Sequence, residues 1–500
     1  MNKSSPEYLK LADQCLKQFA QTSEDALASL LSTEILNAFE KKSTSRVRDY
    51  PALKTLTLFM RQVSNEDKSC RKVLVQESLE QAANDEVSDK TKNDAYCKAR
   101  KRLPEDQVKS LFQISGKRLD EESPESWLWH GRRVVIADGT TANMPDTTEN
   151  QQLYPQSKSQ KKEVGFPTVR MLAFITLGSG ALIETAMGAC EGKGSGEQSL
   201  MIQMIPNLNA DDIVLGDAIF ETYFILALLL IAGVDGVFEK NGARKIDFRK
   251  SFMKLGKKDA LFRLERPPKP PWMSREFYDQ WTPDHLIIRA IKTKNRIIVT
   301  TLIDAEAYPR SDIREAAEHN IPLLAFGGWR LAIGGWLYEQ LIAKSQQPGK
   351  LLNAAPLSAL YTKRWNIELD FRSIKTIMNM EMLRCKTPAM VRKEIYVHFL
   401  VYNLIRALMA RVAKATEQVP RDVSFKAAKQ TLNGARVLLL FCPNCTLNQV
   451  QAQMIVIIGE HKVGDRPGRS EPRAVKRRPK AFKKLQHSRA KARQLNKYKG

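Results

Sequence analysis

Residues 361–375 read YTKRWNIELDFRSIK. Taken as one helix at 100° per residue, Tyr361, Arg364, Glu368 and Lys375 project within about 60° of one another, so a single face presents a carboxylate among cations. Leu360, Ile367, Phe371, Ile374 and Met378 fall on a second arc roughly 80° away. Glu368 is therefore expected at the rim of a packed core, where a metal-binding carboxylate belongs.

Two more acids stand at points where the apolar pattern is that of a strand. Val134-Val135-Ile136-Ala137 reads as a short strand ending at Asp138, and Ile213-Val214-Leu215-Gly216 as another ending at Asp217. Strand ends of an open sheet converge on one crevice. Asp138, Asp217 and Glu368 are thus the candidate ligands for two hard divalent cations, which take oxygen donors and need negative charge around them. Packed together without metal, the three acids would repel and raise one another's pKa. Taken singly, each has a plainer reading: a turn residue or helix cap for the aspartates, a surface partner of Arg364 or Arg372 for Glu368.

Thr168 to Leu177 and Leu182 to Ala186 make two further strands about the Gly178-Ser179-Gly180 turn, and an apolar helix starts at Tyr223. Strands at 236–238, 261–264, 286–291 and 297–302 suggest an inserted sheet. Up to about residue 130 the pattern is helical, with Leu27, Leu30, Leu31 and Ile35 on one face and Tyr50-Pro51 opening another helix. A short basic helix from Asn93 to Leu103 carries Lys98, Arg100, Lys101 and Arg102, and reads either as part of a helix-turn-helix-like DNA reader or as a solvated surface. Pro388 to Val412 is a long helix with Val391, Ile395, Phe399, Tyr402 and Ile405 as its stripe, expected to pack on the glutamate helix. The class is a mixed α/β protein, and the length of 500 residues calls for two or three domains.

The formal charge is +24. Residues 462–500 hold fifteen Lys or Arg against Asp465 and Glu471, a net +13, which leaves +11 elsewhere. A polyanion is the natural partner, and nucleic acid is favoured over a membrane because no lipidation or amphipathic anchor is evident. The tail beyond Gly464 lacks apolar periodicity and is expected to be disordered until it meets DNA. Seven scattered cysteines and a start without a hydrophobic export segment fit a reducing cytoplasm, with the protein held on the nucleoid through DNA. The longest apolar run, 224–234, falls short of the ~20 residues of a membrane span.

The 361–375 stretch matches in spacing the Y-x2-R-x3-E-x6-K signature of DDE transposases of the bacterial insertion-sequence-4 family, and VIADGTT and IVLGD resemble the family's two aspartate segments. The resemblance runs from AYCKARKRLP through KNGARKIDFR and LRCKTPAMVRKE to GDRPGRSEPRAVKRRPK. It implies a ribonuclease-H-like catalytic domain interrupted by a β-rich insertion, after an all-α N-terminal region. The corresponding parts are a DNA-binding region at 1–130, catalytic parts at 131–232 and 357–415, an insertion at 233–356 and a C-terminal region at 416–500. It implies two Mg²⁺ or Mn²⁺ ions on Asp138, Asp217 and Glu368, and phosphate contacts from Tyr361, Arg364 and Lys375. It also implies cleavage of double-stranded DNA at the element's terminal repeats, hairpin intermediates, and strand transfer into target DNA by a homodimer.

The likeness lapses between Pro309 and Leu357. Segment 314–356 is longer than the connection expected there, and within it Trp329 and Trp336 are candidates for holding a flipped base. A catalytically inactive, transposase-derived regulator is the alternative function, and a host nuclease of the same fold a third. Among lesser signals, Cys442 and Cys445 have the spacing of half a zinc knuckle or of a structural turn. Gly192 to Gly196 lacks the spacing of a phosphate loop. Arg244 and Arg249 either reach DNA phosphates or stand in solvent.

Overall fold

A computed structural model describes residues 30–43, 49–83, 93–158, 163–192, 194–304, 357–441, 444–463 and 487–497. Leu27, Trp329, Trp336, the whole of 314–356, Cys442 and residues 464–486 of the tail lie outside them.

Nine strands form one sheet: β1 Val134–Asn143, β2 Thr168–Thr176, β3 Leu182–Ala189, β4 Ile213–Gly216, β5 Asp235–Glu239, β6 Met253–Gly256, β7 Asp259–Glu265, β8 His285–Lys292 and β9 Ile297–Thr300. Their spatial order is β3-β2-β1-β4-β5-β9-β8-β7-β6. β1, β2 and β3 form an antiparallel meander, while β4 and β5 run parallel to β1. β9 pairs antiparallel with β5, so the later strands extend the same sheet rather than forming a separate one.

β1 is longer than its apolar start suggests. The sequence reading ends the strand at Asp138; in the structure Asp138 pairs with Ala173 in mid-strand and the β2 ladder continues to Asn143. The threonines at 140 and 141 suit a pleated backbone. On the other edge, β4 pairs only as far as Ile136↔Leu215. Between Ile136 and Asn143, where a single parallel bridge joins β1 to Met382, β1 pairs only with β2. Asp217 directly follows β4, so both aspartates stand just past the paired part of β1 and β4, near enough for the Asp217 charge to act on Asp138.

Helix Pro388–Ala415 is buried along nearly its whole length, not on a single stripe. By length and composition it could cross a membrane, but 94% of its apolar window is covered by the protein's own residues, as expected of a core helix. Asn403 fixes it: its amide donates to Leu182 O and Ser115 Oγ, at 2.9 and 3.0 Å, and its oxygen accepts from Leu182 N. Close approach there requires Gly116 of helix Glu105–Glu121, where a β-carbon would stand 2.2 Å from Leu182 O.

Upstream of Val134 the described residues are helices and turns, with Ala52–Ser64 packed on helix Pro388–Ala415. Lys68 joins the two regions. Its ammonium donates to Asn379 O at 2.7 Å and sits 2.9 Å from His398 Nε2, whose Nδ1 faces Glu394 O at 2.7 Å. A carbonyl at Nδ1 and an ammonium at Nε2 select the neutral imidazole with its proton on Nδ1. Burial and the Lys68 charge accordingly hold the His398 pKa well below its ordinary value.

Candidate active site

The stretch 357–377 is not one regular helix. It runs as an α-helix Leu357–Thr362, a 3₁₀ turn Lys363–Trp365, an α-helix Asn366–Arg372 and a π-helix Ser373–Ile377. The uniform 100° spacing therefore fails at both ends of the motif, and its four residues do not share one face.

Tyr361 is buried, and its hydroxyl donates to Gly216 O at 3.3 Å, the carbonyl immediately before Asp217. Burial pushes its pKa up to about 12, so it remains a donor. Arg364 is the centre of the site. Its Nη1 lies 3.6 Å from Asp138 Oδ2 and its Nη2 3.6 Å from Glu368 Oε1. One guanidinium thus spans two acids 230 positions apart in sequence. Its width plus two such contacts limits their separation to roughly 10 Å. Glu368 is exposed and bounds an open depression lined by Thr362, Lys363, Trp365, Asn366 and Leu369. Lys375 sits in the π turn, half-buried, its pKa lowered by burial. π turns inside helices frequently mark functional sites.

Asp138 has its pKa raised to about 6, chiefly by burial. The Gly139 N–H and Arg364 oppose that shift, while Glu197 and Asp217 add to it. Asp217 is exposed and accepts a hydrogen bond from Ala218 N. Glu197 begins helix Glu197–Met204 and lies against Gly139: a β-carbon there would stand 2.5 Å from Glu197 Oε1. The sequence reading missed this fourth acid, although an acid opening a helix after a glycine-rich turn was visible in it.

It also missed Asp370, which is fully buried between Arg406 and Arg421. The signal was present: at helical spacing, Asp370 falls on the apolar arc with Ile367 and Ile374. Trp365, half exposed, has its ring 5.3 Å from the Arg364 guanidinium, whereas Trp329 and Trp336 lie outside the described residues. Arg244 is held by buried Glu221 at 2.6 Å, whereas Arg249 is exposed and paired with Asp247 at 3.1 Å. Gly192 and Gly194 both take positive φ in the turn before Glu197.

Carboxylate oxygens are the donors that Mg²⁺ and Mn²⁺ take. Asp138, Asp217 and Glu368 offer such oxygens, so the donor set fits these ions, and Arg364 stands between two of the acids as the cation they would exchange for metal. Among the described residues, no three Asp, Glu, His or Cys side chains stand close enough to hold one ion. Binding therefore requires the carboxylates to converge.

A family model described as a transposase DDE domain matches residues 129–404, over half of the chain and both aspartates with Glu368. The chain belongs to the DDE transposase family. The transposase InsG of insertion sequence element IS4 from Escherichia coli (strain K12) is 25% identical over 408 residues, covering 77% of this chain and 76% of that one, in agreement with the insertion-sequence-4 resemblance. The cryo-EM structure of a piggyBac transposase synaptic complex with hairpin DNA aligns over 91% of this chain and 88% of that one, with a TM-score of 0.36 and 9% identity, a likeness too loose to carry fold or function.

Proposed function

We propose that this transposase cleaves double-stranded DNA at the terminal repeats of an insertion element and joins the freed 3′ ends to target DNA, with Asp138, Asp217 and Glu368 as the metal-binding acids. The observation that carries the reading is Arg364, whose single guanidinium reaches both Asp138 and Glu368. Asp138, Asp217 and Glu368 would hold the ions through carboxylate oxygens, and Arg364 keeps two of these acids within reach of one another. Bound divalent ions would lower the pKa of the attacking water or hydroxyl and offset charge on the leaving oxygen.

The chain's own residues have separable tasks. Arg364 offers a bidentate fork to a phosphate, and Lys375 a point charge. Tyr361 was expected to touch phosphate; its inward hydroxyl favours a different task, holding Gly216 and hence the backbone that presents Asp217. Glu368, on the solvent side, would join Asp138 on the ions once phosphate draws Arg364 away. The antiparallel β1–β3 meander flanked by parallel β4 and β5 supports a ribonuclease-H-like reading of the catalytic core. The helical N-terminal region and the basic C-terminal residues are assigned to DNA, and a homodimer on paired ends is the assembly that would join both ends.

The test is cleavage of a duplex carrying the element's ends, with Mg²⁺ or Mn²⁺, beside a random-sequence duplex. Glu368→Gln and Asp138→Asn should abolish end-specific nicking while leaving DNA retention within about threefold, a change worth less than about 0.7 kcal/mol. Cleavage persisting in either variant removes the assignment, and equal cleavage of the random duplex points to a nuclease instead.

A further inference from the structure

Away from the acid cleft, the helical N-terminal part contains a second reactive cluster. Cys70 opens helix Cys70–Ala83 and Cys97 lies in helix Asn93–Arg102. Their sulfur atoms are 3.7 Å apart, and neither side chain is fully buried. Arg100 lies between them, its Nη2 3.1 Å from Cys70 Sγ and 3.6 Å from Cys97 Sγ. The guanidinium is buried, held over the rings of Phe59 and Tyr96 at 4.9 and 5.0 Å, and its Nη1 donates to Gln62 Oε1.

A buried guanidinium normally has a carboxylate partner, because an uncompensated buried charge is costly. Among the described residues none pairs with Arg100, whose polar neighbours are Gln62 and the two thiols. The groups set directly against this cation are therefore two thiols, whose deprotonated form it would stabilise.

We propose that Cys70 and Cys97 are a redox modification site that closes to a reversible disulfide on reaction with peroxides, with Arg100 as the cation that favours the attacking thiolate. One thiolate attacks a peroxide oxygen, the O–O bond breaks, and water leaves, giving a sulfenic acid. The second thiol displaces the sulfenic hydroxyl as a further water and forms the S–S bond. Two thiols lose two electrons and two protons, and hydrogen peroxide becomes two waters. The sulfurs need to close from 3.7 Å to about 2.05 Å, a shift of under 2 Å.

Burial raises the Cys70 pKa while Arg100 opposes that rise, so the reaction should quicken as pH increases. Cys385 is more deeply buried and its thiol is pushed well up, so it is less available than either member of the pair. Closure ties two helices together and removes the two thiols from beside Arg100. It acts on the helix that exposes Lys98, Lys101 and Arg102. The inference stands on this geometry alone and does not depend on the assignment of the three acids.

The test treats full-length wild-type protein with hydrogen peroxide, blocks remaining thiols, and maps the unreduced digest by mass spectrometry. A peptide pair joining Cys70 to Cys97, two hydrogens lighter and separated by dithiothreitol, is the expected result, lost in Cys70→Ser and in Cys97→Ser. Thiol alkylation rates supply the second arm. Arg100→Gln should slow alkylation of the pair about tenfold, the change in thiolate fraction for one pKa unit, while Arg100→Lys should retain most of the rate. Absence of the 70–97 link, a link to Cys385 in its place, or equal rates in folded wild-type, Gln and Lys proteins would overturn the proposal. The mapping uses wild-type protein, so it decides the matter even where an Arg100 variant does not fold.

Discussion

Asp370→Asn tests what holds the glutamate helix in place. Asp370 is wholly buried two residues beyond Glu368. It accepts from Arg406 and, with both oxygens, from Arg421 Nη1 at 2.7 and 2.6 Å. Arg421 in turn donates to Leu177 O and Thr176 O at the end of β2, and Arg406 Nε donates to Tyr402 Oη at 2.9 Å. One carboxylate therefore fastens the Glu368 helix to the core helix and to the β2–β3 turn. Asparagine keeps the shape and one acceptor but leaves the buried Arg406 and the largely covered Arg421 without their anion. Breaking a buried pair at one partner costs about 3–5 kcal/mol, and here two cations lose compensation, so the upper end is expected. At about 2–4 °C per kcal/mol for a large domain, Tm should fall by roughly 8–20 °C. Differential scanning calorimetry of metal-free protein reads the shift. Adding Arg406→Met removes one stranded charge, so a double-mutant cycle should show a coupling of at least about 1 kcal/mol in the direction of rescue. A loss below about 1 kcal/mol in Asp370→Asn, or strict additivity with Arg406→Met, would refute the reasoning, since pairs worth so little are those of exposed surfaces.

Gly116→Ala should destabilise by about 3 kcal/mol or more in urea unfolding, because the new methyl meets the Leu182 backbone at 2.2 Å and no flexible side chain can yield; a change under 1 kcal/mol would mean the helix can move off β3. Tyr361→Phe should lower stability by only about 0.5–1.5 kcal/mol, yet reduce cleavage more than DNA binding, since the lost bond holds Gly216 beside Asp217; equal losses in both assays would argue for direct phosphate contact. His398 has its folded pKa depressed, so the unfolded chain binds a proton the folded chain refuses. Its contribution is present above the ordinary value of 6.5 and lost as pH falls below it, by up to about 1.4 kcal/mol per unit. Comparing urea midpoints at pH 7 and pH 5 should show a smaller drop in His398→Gln than in wild type; identical drops assign the acid sensitivity elsewhere.

The elements legible in the sequence are those whose signal is local. Val134–Ala137 and Ile213–Gly216 announce themselves as β-branched apolar runs, and each leads directly into one of the two aspartates. What a run of residues does not encode is which neighbouring strand stops first. Asp138 looks like a strand end because apolar content ends there, yet β1 continues on β2 for five more residues while β4 has already turned away. The place of Asp138 past the end of the β4 pairing thus arises from unequal strand lengths, a property of pairing that neither strand carries alone.

The glutamate helix shows the same limit from the side of angular geometry. A helical wheel assumes one turn angle throughout, and 3₁₀ and π segments on either side of Asn366–Arg372 change it. Tyr361 thereby reaches the core and Lys375 a half-buried turn, while only Arg364 and Glu368, one α-turn apart, keep the relation the wheel assigns them. Asp370 gives the energetic counterpart. A carboxylate on an apolar arc is either a misfit or one half of a buried ion pair, and the local sequence does not decide which, because Arg406 and Arg421 lie 36 and 51 positions away. Residues with a local signature were therefore readable as candidates, while contacts between elements, such as Arg364 with Asp138, were not. By the same logic, Glu197 emerges only when the helix it opens is seen folded back onto Gly139 beside Asp138.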